Sequence, residues 1–396
     1  MVIEPETKDA APEATLANWR QAPYSRWGFR NVRRLIPVAE IPRGEFAACF
    51  SRGPALELDR VEVPGQGGSV MRLLAESDTD GFLVLHRGAV VAEHYDHGLE
   101  VKTPHIVFSI SKSITGLVAG ILAGRGQLDP EAPVTAYVPE AAGSAYDGAT
   151  VRHVLDMTVG IRFTEDYVDP AGDVARYRVA MGWNPPSEVA RDGDLHSFVA
   201  GLPADGRPHG ETFHYVSPNS DMLGWICERA SGMRFAALMT ELLWRPLWAE
   251  ADAQITLDRR GTPRTAGGMC MTLRDLARIG ELMRRDGRVG GTQVVPRAWV
   301  DDILDNGDPA AWARGDLAQL APQGRYRSQW YVLGPGRDVV CGIGIHGQWI
   351  YVDRAAELVI AKMSSQPVAV DDALDHRLLA GFRAIAQALG WTARKP

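Results

Sequence analysis

A serine and a lysine three residues apart, Ser109 and Lys112 in "FSISKSITG", open an apolar run with helical spacing. Positions i and i+3 share a helix face, so the amine can reach the hydroxyl, while the helix N-terminus adds free N–H groups and positive potential. That pairing is the chemistry of an activated nucleophile. In the plainer reading Ser109 caps the helix and Lys112 points into water. Composition weakens it, because only five of the 42 basic residues are lysines.

A nucleophilic serine needs a base, and beside a lysine that base need not be histidine. Tyr215, in "FHYVSPNSD", is the candidate; Ser217 and Pro218 after it read as N-cap and first position of a helix running to Gly232. A cation about 3 Å from the phenol contributes roughly 5 kcal/mol at an effective dielectric near 20, so a partly ionised Tyr215 is expected. The third piece is "GIGIHGQ", residues 342–348. Gly342, Gly344 and Gly347 match a dinucleotide-binding pattern, but that pattern needs a following helix and "QWIYVD" is strand-like. On a strand, the same glycines let a substrate approach backbone N–H groups, as an oxyanion hole requires, with His346 as a donor beside the pocket.

The elements that must position these residues can be read outward from them. "GFLVLHRGAVVAEHYDHG" has the pattern of a β-hairpin, and Ile110, Ile114, Leu117, Val118, Ile121 and Leu122 mark an amphipathic helix ending near Gly124 and Gly126. Residues 127 to about 255 read as helices joined by long Pro/Gly/Asp loops. Thr272 with Asp275 reads as a helix cap, followed by three strand-like runs, "YRSQWYVLG", "VVCGIGIHGQWIYVD" and "AELVIAKMSS", and a closing helix over 374–389. The expected fold is α+β: an antiparallel sheet built from residues 1–130 and 256–396 and flanked by helices, with a mostly helical inserted domain at 131–255. The first 55 or so residues are expected to wrap the surface irregularly.

The chain has 396 residues, 45% hydrophobic and 23% charged, and a net charge of −7 with the two signs interspersed, which argues against a nucleic-acid partner. Cys49, Cys227, Cys270 and Cys341 have no metal-ligand spacing and read as free thiols of a reducing compartment. Glu93, His94, Asp96 and His97 match no recognised metal motif, so no metal or cofactor is expected. The N-terminus lacks the basic and apolar regions of a signal peptide, and no apolar run approaches the roughly 18 residues of a membrane span; a cytoplasmic protein is expected.

Ser109-x-x-Lys112, the motif around Tyr215 and His346-Gly347 on a late strand, in that order, resemble the three motifs of the penicillin-recognising serine hydrolases, the β-lactamase/DD-peptidase group. "FLVL", "VAEHY", "SISKS", "EDYVDP", "GGMCMTLRDLAR" and "GIGIHGQ" extend the likeness over nearly the whole chain and, within the family, resemble the 6-aminohexanoate-dimer (nylon-oligomer) hydrolases. The resemblance implies an acylated Ser109, a Lys112 that shares its proton, and a Tyr215 that relays it to the leaving group. It also implies an oxyanion hole from the N–H groups of Ser109 and Ile345, and a substrate cleft bordered by Tyr167, Trp183, Ser217, His346 and Gly347. A small amide or ester is the expected partner, and at most a second copy of the chain in a homodimer. Three departures narrow the expectation. Ser217 replaces the family's usual asparagine, with Asn219 two residues further on. No Lys-Thr-Gly triad marks the late strand, which argues against strong β-lactamase activity. Arg178 falls where the nylon-oligomer hydrolases carry an acid that helps hold the substrate ammonium, with Asp173 as a candidate replacement. An exported cell-wall peptidase, a carboxylesterase with little amidase activity, and a catalytically silent binding protein on the same fold are the alternatives.

Overall fold

The computed structural model describes residues 14–186 and 193–391. Its centre is a seven-stranded, wholly antiparallel sheet. In chain order the strands are β1 (Thr79–His86), β2 (Ala89–Tyr95), β3 (Arg325–Arg327), β4 (Trp330–Val332), β5 (Val339–Gly344), β6 (Gln348–Asp353) and β7 (Leu358–Ser364). In space they run β3-β4-β5-β6-β7-β1-β2, so the last strand pairs with the first, Val359 opposite Leu85. The expected α+β fold with a sheet built from both ends of the chain is what the structure has. Three strand-like runs became five strands because turns sit inside two of them. Ser328 and Gln329, both with positive φ, turn between β3 and β4, and His346 (φ 60°) and Gly347 (φ 84°) turn between β5 and β6.

Successive side chains of a strand face opposite ways, and here both faces are covered. Leu83, Leu85, Ile350, Val352 and Val359 belong to one apolar cluster with Leu276, Ile279 and Leu282 of helix Leu273–Arg284. Phe82, Val84, Trp349, Tyr351 and Ile360 belong to the other, where Phe382 of helix Asp372–Ala388 packs on three of their rings. Helix Leu273–Arg284 starts as expected, Thr272 Oγ1 accepting from the Asp275 N–H. Helix α1 (Ile110–Gly124) is buried from Ile110 to Leu122 and enters the same cluster as the first face. Among the described residues, the regular elements between α1 and Ala253 are helical, including α2 (Asp173–Ala180) and α3 (Ser217–Ser231).

The N-terminal segment is more than a wrap. Val38–Ile41 is the edge of a second, four-stranded sheet with Ala253–Thr256, Met269–Met271 and His105–Ile106. Trp19 is wholly buried, in an aromatic group with Phe29, Phe108 and Trp183. Among the described residues, no helix is long and apolar enough to cross a membrane, and no group of His, Cys, Asp and Glu is placed to hold a metal. Glu93, considered above as a ligand, is instead ion-paired with Arg274 and Arg52.

Candidate active site

Strand His105–Ile106 delivers the chain to Ser109, the candidate nucleophile. The Val107 N–H donates to Met269 O at 2.9 Å, and Phe108 then takes a left-handed backbone (φ 43°) before α1 begins. A phenylalanine with positive φ is strained by about 1–3 kcal/mol, and the rings of Trp19, Phe29, Trp183 and His346 around it hold it there. Ser109 follows at the first turn. Its side chain does not cap α1; its Oγ lies 2.8 Å from Lys112 Nζ, as the i, i+3 spacing predicts.

Lys112 is almost completely buried, and Nζ also donates to Ala266 O at 2.8 Å. That carbonyl is held in turn. Asp221, on α3, accepts from the Ala266 N–H at 2.9 Å and from Thr265 Oγ1 at 3.3 Å. It also pairs with Arg264 and accepts from the Tyr177 hydroxyl, all in the interior. Burial pushes the Lys112 amine down to about 7; Glu165 and Asp221 act against that and Arg264 with it. Asp221→Ala strands the buried Arg264 charge, so a loss of about 3–5 kcal/mol of stability is expected in urea unfolding. A loss under about 1 kcal/mol would show the pair to be dispensable.

Tyr215 stands just before α3. Its N–H donates to Asp316 Oδ2 at 3.0 Å, and its ring lies over Lys112 with Nζ 5.0 Å from the centroid. The phenol differs from the sequence expectation: burial raises its pKa, Glu165 raises it further, and the hydroxyls of Ser109 and Tyr331 only partly offset this. A permanent Lys112 cation would stabilise the phenolate, whereas desolvation penalises the charged forms of both groups. Lys112, not Tyr215, is therefore the group that changes charge near neutrality.

The hairpin after β5 supplies Ile345. A Cβ on Gly344 would meet Val107 O at 2.6 Å, so only glycine lets β5 come this close to the chain entering α1. Ser109 and Ile345 line one cavity, and among the described residues neither backbone N–H is taken by another group. His346 and Gly347 do not line it. His346 is buried against Phe29 and Phe108, with Nδ1 2.7 Å from Gln366 O, and burial lowers its pKa to about 4. It is a neutral, packed ring at the hairpin tip rather than a donor beside the substrate.

Tyr167, Trp183 and Ser217 do line the cavity. Trp183 Nε1 donates to Thr256 Oγ1 at 3.1 Å and its carbonyl accepts from Trp19 Nε1 at 3.1 Å, which fixes its ring in the wall. Ser217 and Tyr167 converge on Glu165, which accepts from the Ser217 N–H at 2.9 Å, from the Ser217 hydroxyl, and from the Tyr167 hydroxyl at 3.0 Å. Asn219 points away, accepting from Tyr146 at 3.0 Å. Asp173 does not line the cavity either; it accepts from the Thr164 N–H and pairs with Arg176. Glu165, Arg20 and Arg264, which do line it, escaped sequence reasoning. The signal for Glu165 lay in "EDYVDP", where only the tyrosine was singled out; Arg20 lies in a segment without periodicity.

The family profile described as Beta-lactamase matches residues 72–383. The chain is 40% identical over 361 residues to the 6-aminohexanoate-dimer hydrolase of Paenarthrobacter ureafaciens, covering 90% of each protein. It is 33% identical over 147 residues to esterase EstB of Burkholderia gladioli, covering 35% of each. Among solved structures it resembles a candidate 6-aminohexanoate-dimer hydrolase from Bacillus anthracis, with TM-score 0.87, 25% identity, and coverage of 96% of this chain and 98% of that one.

Proposed function

The chain belongs to the beta-lactamase family of serine hydrolases, and we propose that it cleaves small amides and esters through an acyl-enzyme on Ser109. The observation that carries this reading is the 2.8 Å contact between Ser109 Oγ and a buried Lys112 amine whose pKa lies near neutrality. In the proposed cycle the neutral amine takes the Ser109 proton as Oγ adds to the substrate carbonyl. The N–H groups of Ser109 and Ile345 receive the developing oxyanion. The proton passes from Lys112 through the Tyr215 hydroxyl to the departing amine or alcohol as the tetrahedral adduct collapses: the carbonyl re-forms, the bond to the leaving group breaks, and the acyl group stays on Ser109 Oγ. Water, deprotonated by the same pair, then releases the acid and restores Ser109.

The similarity to the Paenarthrobacter enzyme makes the linear 6-aminohexanoate dimer the first amide to assay. A carboxylesterase with little amidase activity is the second reading, favoured by Arg178 in the cavity wall where the nylon-oligomer hydrolases carry an acid. A fluorophosphonate probe separates both from a silent binding protein. One adduct per chain, mapped to Ser109 by peptide mass spectrometry, is expected, and a protein left unlabelled by excess probe would refute the acyl-enzyme. Release of 6-aminohexanoate from the dimer beside p-nitrophenyl ester turnover then decides between amidase and esterase.

A further inference from the structure

The cavity in front of Ser109 has an uneven charge. Arg20, Arg178 and Arg264 line it with a single carboxylate, Glu165. Arg264 is ion-paired with Asp221; Glu165 accepts from Ser217 and Tyr167, neutral groups that leave its charge in place, and that charge acts on Arg178 from a distance, so the wall carries more positive than negative charge. Arg20 and Arg178 remain. Arg20 donates to Trp183 O at 3.0 Å and Asn184 Oδ1 at 2.5 Å, and Arg178 donates to Tyr167 O at 3.1 Å. These partners are neutral, and among the described residues neither arginine is ion-paired with a carboxylate. A guanidinium has five N–H groups, so both keep donors to spare. Burial and then the Arg178 charge lower the Arg20 pKa, which places the two cations within electrostatic reach of each other. Two such charges in one partly buried wall repel unless an anion lies between them. The same lining has an apolar part, with Phe108, Val174, Met181, Trp183 and Ile345, beside the polar Tyr167 and Ser217. Tyr215, the proposed proton donor to the leaving group, is absent from this lining, so the cavity suits the acyl half of the substrate.

We infer that Arg20 and Arg178 form a carboxylate-binding subsite, and that the preferred substrates are esters or amides whose acyl chain ends in a carboxylate, such as half-esters of a linear dicarboxylic acid. The inference rests on the acyl-enzyme reading above. It reverses the charge expected for an ammonium-ended 6-aminohexanoyl group: Glu165 already accepts three hydrogen bonds, which leaves it about one acceptor site, while Arg20 and Arg178 in the same lining repel an ammonium.

Three p-nitrophenyl esters of matched length test it: the adipate half-ester, the hexanoate and the 6-aminohexanoate. With the leaving group constant, kcat/KM is expected to be at least about tenfold higher for adipate than for hexanoate, and lowest for 6-aminohexanoate. The adipate-to-hexanoate ratio should collapse towards 1 in Arg178→Gln and Arg20→Gln. If those variants fail to fold, the same ratio in the wild type should fall as sodium chloride rises from about 0.05 to about 1 M, which shortens the screening length roughly fourfold. A ratio of 1 or less in the wild type, or one insensitive both to salt and to the substitutions, overturns the inference. Calorimetric binding of adipate to the Ser109→Ala protein keeps the two readings apart. Adipate binding without ester turnover would reject the acyl-enzyme and retain the subsite; turnover without adipate binding would do the opposite.

Discussion

Ser109→Ala is expected to remove ester and amide turnover down to background, a loss on the order of 10⁴- to 10⁶-fold in kcat, because no second nucleophile can use the Lys112 amine. The substitution deletes one hydroxyl, which bonds to Lys112 and lies beside the Tyr215 phenol, and Nζ keeps its bond to Ala266 O. Stability should therefore change by about 1 kcal/mol, and the far-ultraviolet circular dichroism spectrum not at all. The backbone N–H of residue 109 survives, so ligand binding should persist while acylation does not. Turnover of p-nitrophenyl butyrate within tenfold of wild type would move the nucleophile elsewhere.

Lys112→Met should cost on the order of 10³-fold or more in kcat/KM, since the base is lost while an apolar chain of similar length fills the buried space. Lys112→Arg should not rescue activity, because a guanidinium does not give up its proton near neutral pH. In the proposed cycle the active form is the neutral amine, so kcat/KM of the wild type should rise with pH through an apparent pKa of about 7 and level off above it. The sign for stability follows from the same shift. A folded-state pKa below the unfolded value means that the unfolded chain binds more protons between about 7 and 10.5. The Lys112 contribution thus becomes more unfavourable as pH falls through that window, and is constant below it. Relative to wild type, Lys112→Met should gain stability as pH is lowered from 10 to 7, which urea titrations at matched ionic strength would read. Lys362, whose amine burial also lowers to about 7, is common to both proteins and cancels. An acid limb that persists in Lys112→Met at residual activity would assign the titration to another group.

The parts of the site that were legible in the sequence are those fixed by local geometry. Ser109 and Lys112 meet because a helix brings i and i+3 together, and Tyr215 joins them because it immediately precedes α3. What was not legible depends on distant packing. Whether His346 donates to a substrate or fills a wall is decided by Phe29 and Gln366, which no spacing connects to it. The ionisation of Tyr215 was misjudged for a related reason: charge proximity can be guessed from motifs, but desolvation is a property of the finished interior. The strand count failed at Ser328-Gln329 and His346-Gly347, where a left-handed turn follows from tertiary contacts without the Asn-Gly or Pro signals that mark a turn in sequence.

The pairing of β7 with β1 carries a consequence for how the molecule comes into being. During synthesis the β1-β2 hairpin emerges early, with one edge awaiting a partner that includes residue 359. Until then the hydrogen-bonding groups of β1 and apolar residues such as Leu83 and Leu85 lack the neighbours that bury them in the finished protein. So high a contact order makes the closing of the sheet a late and slow step, and leaves a growing chain with an adhesive strand edge throughout elongation. Chaperone dependence in expression should accordingly be sensitive to β7, and changes there should lower soluble yield more than their effect on the stability of the finished enzyme would suggest.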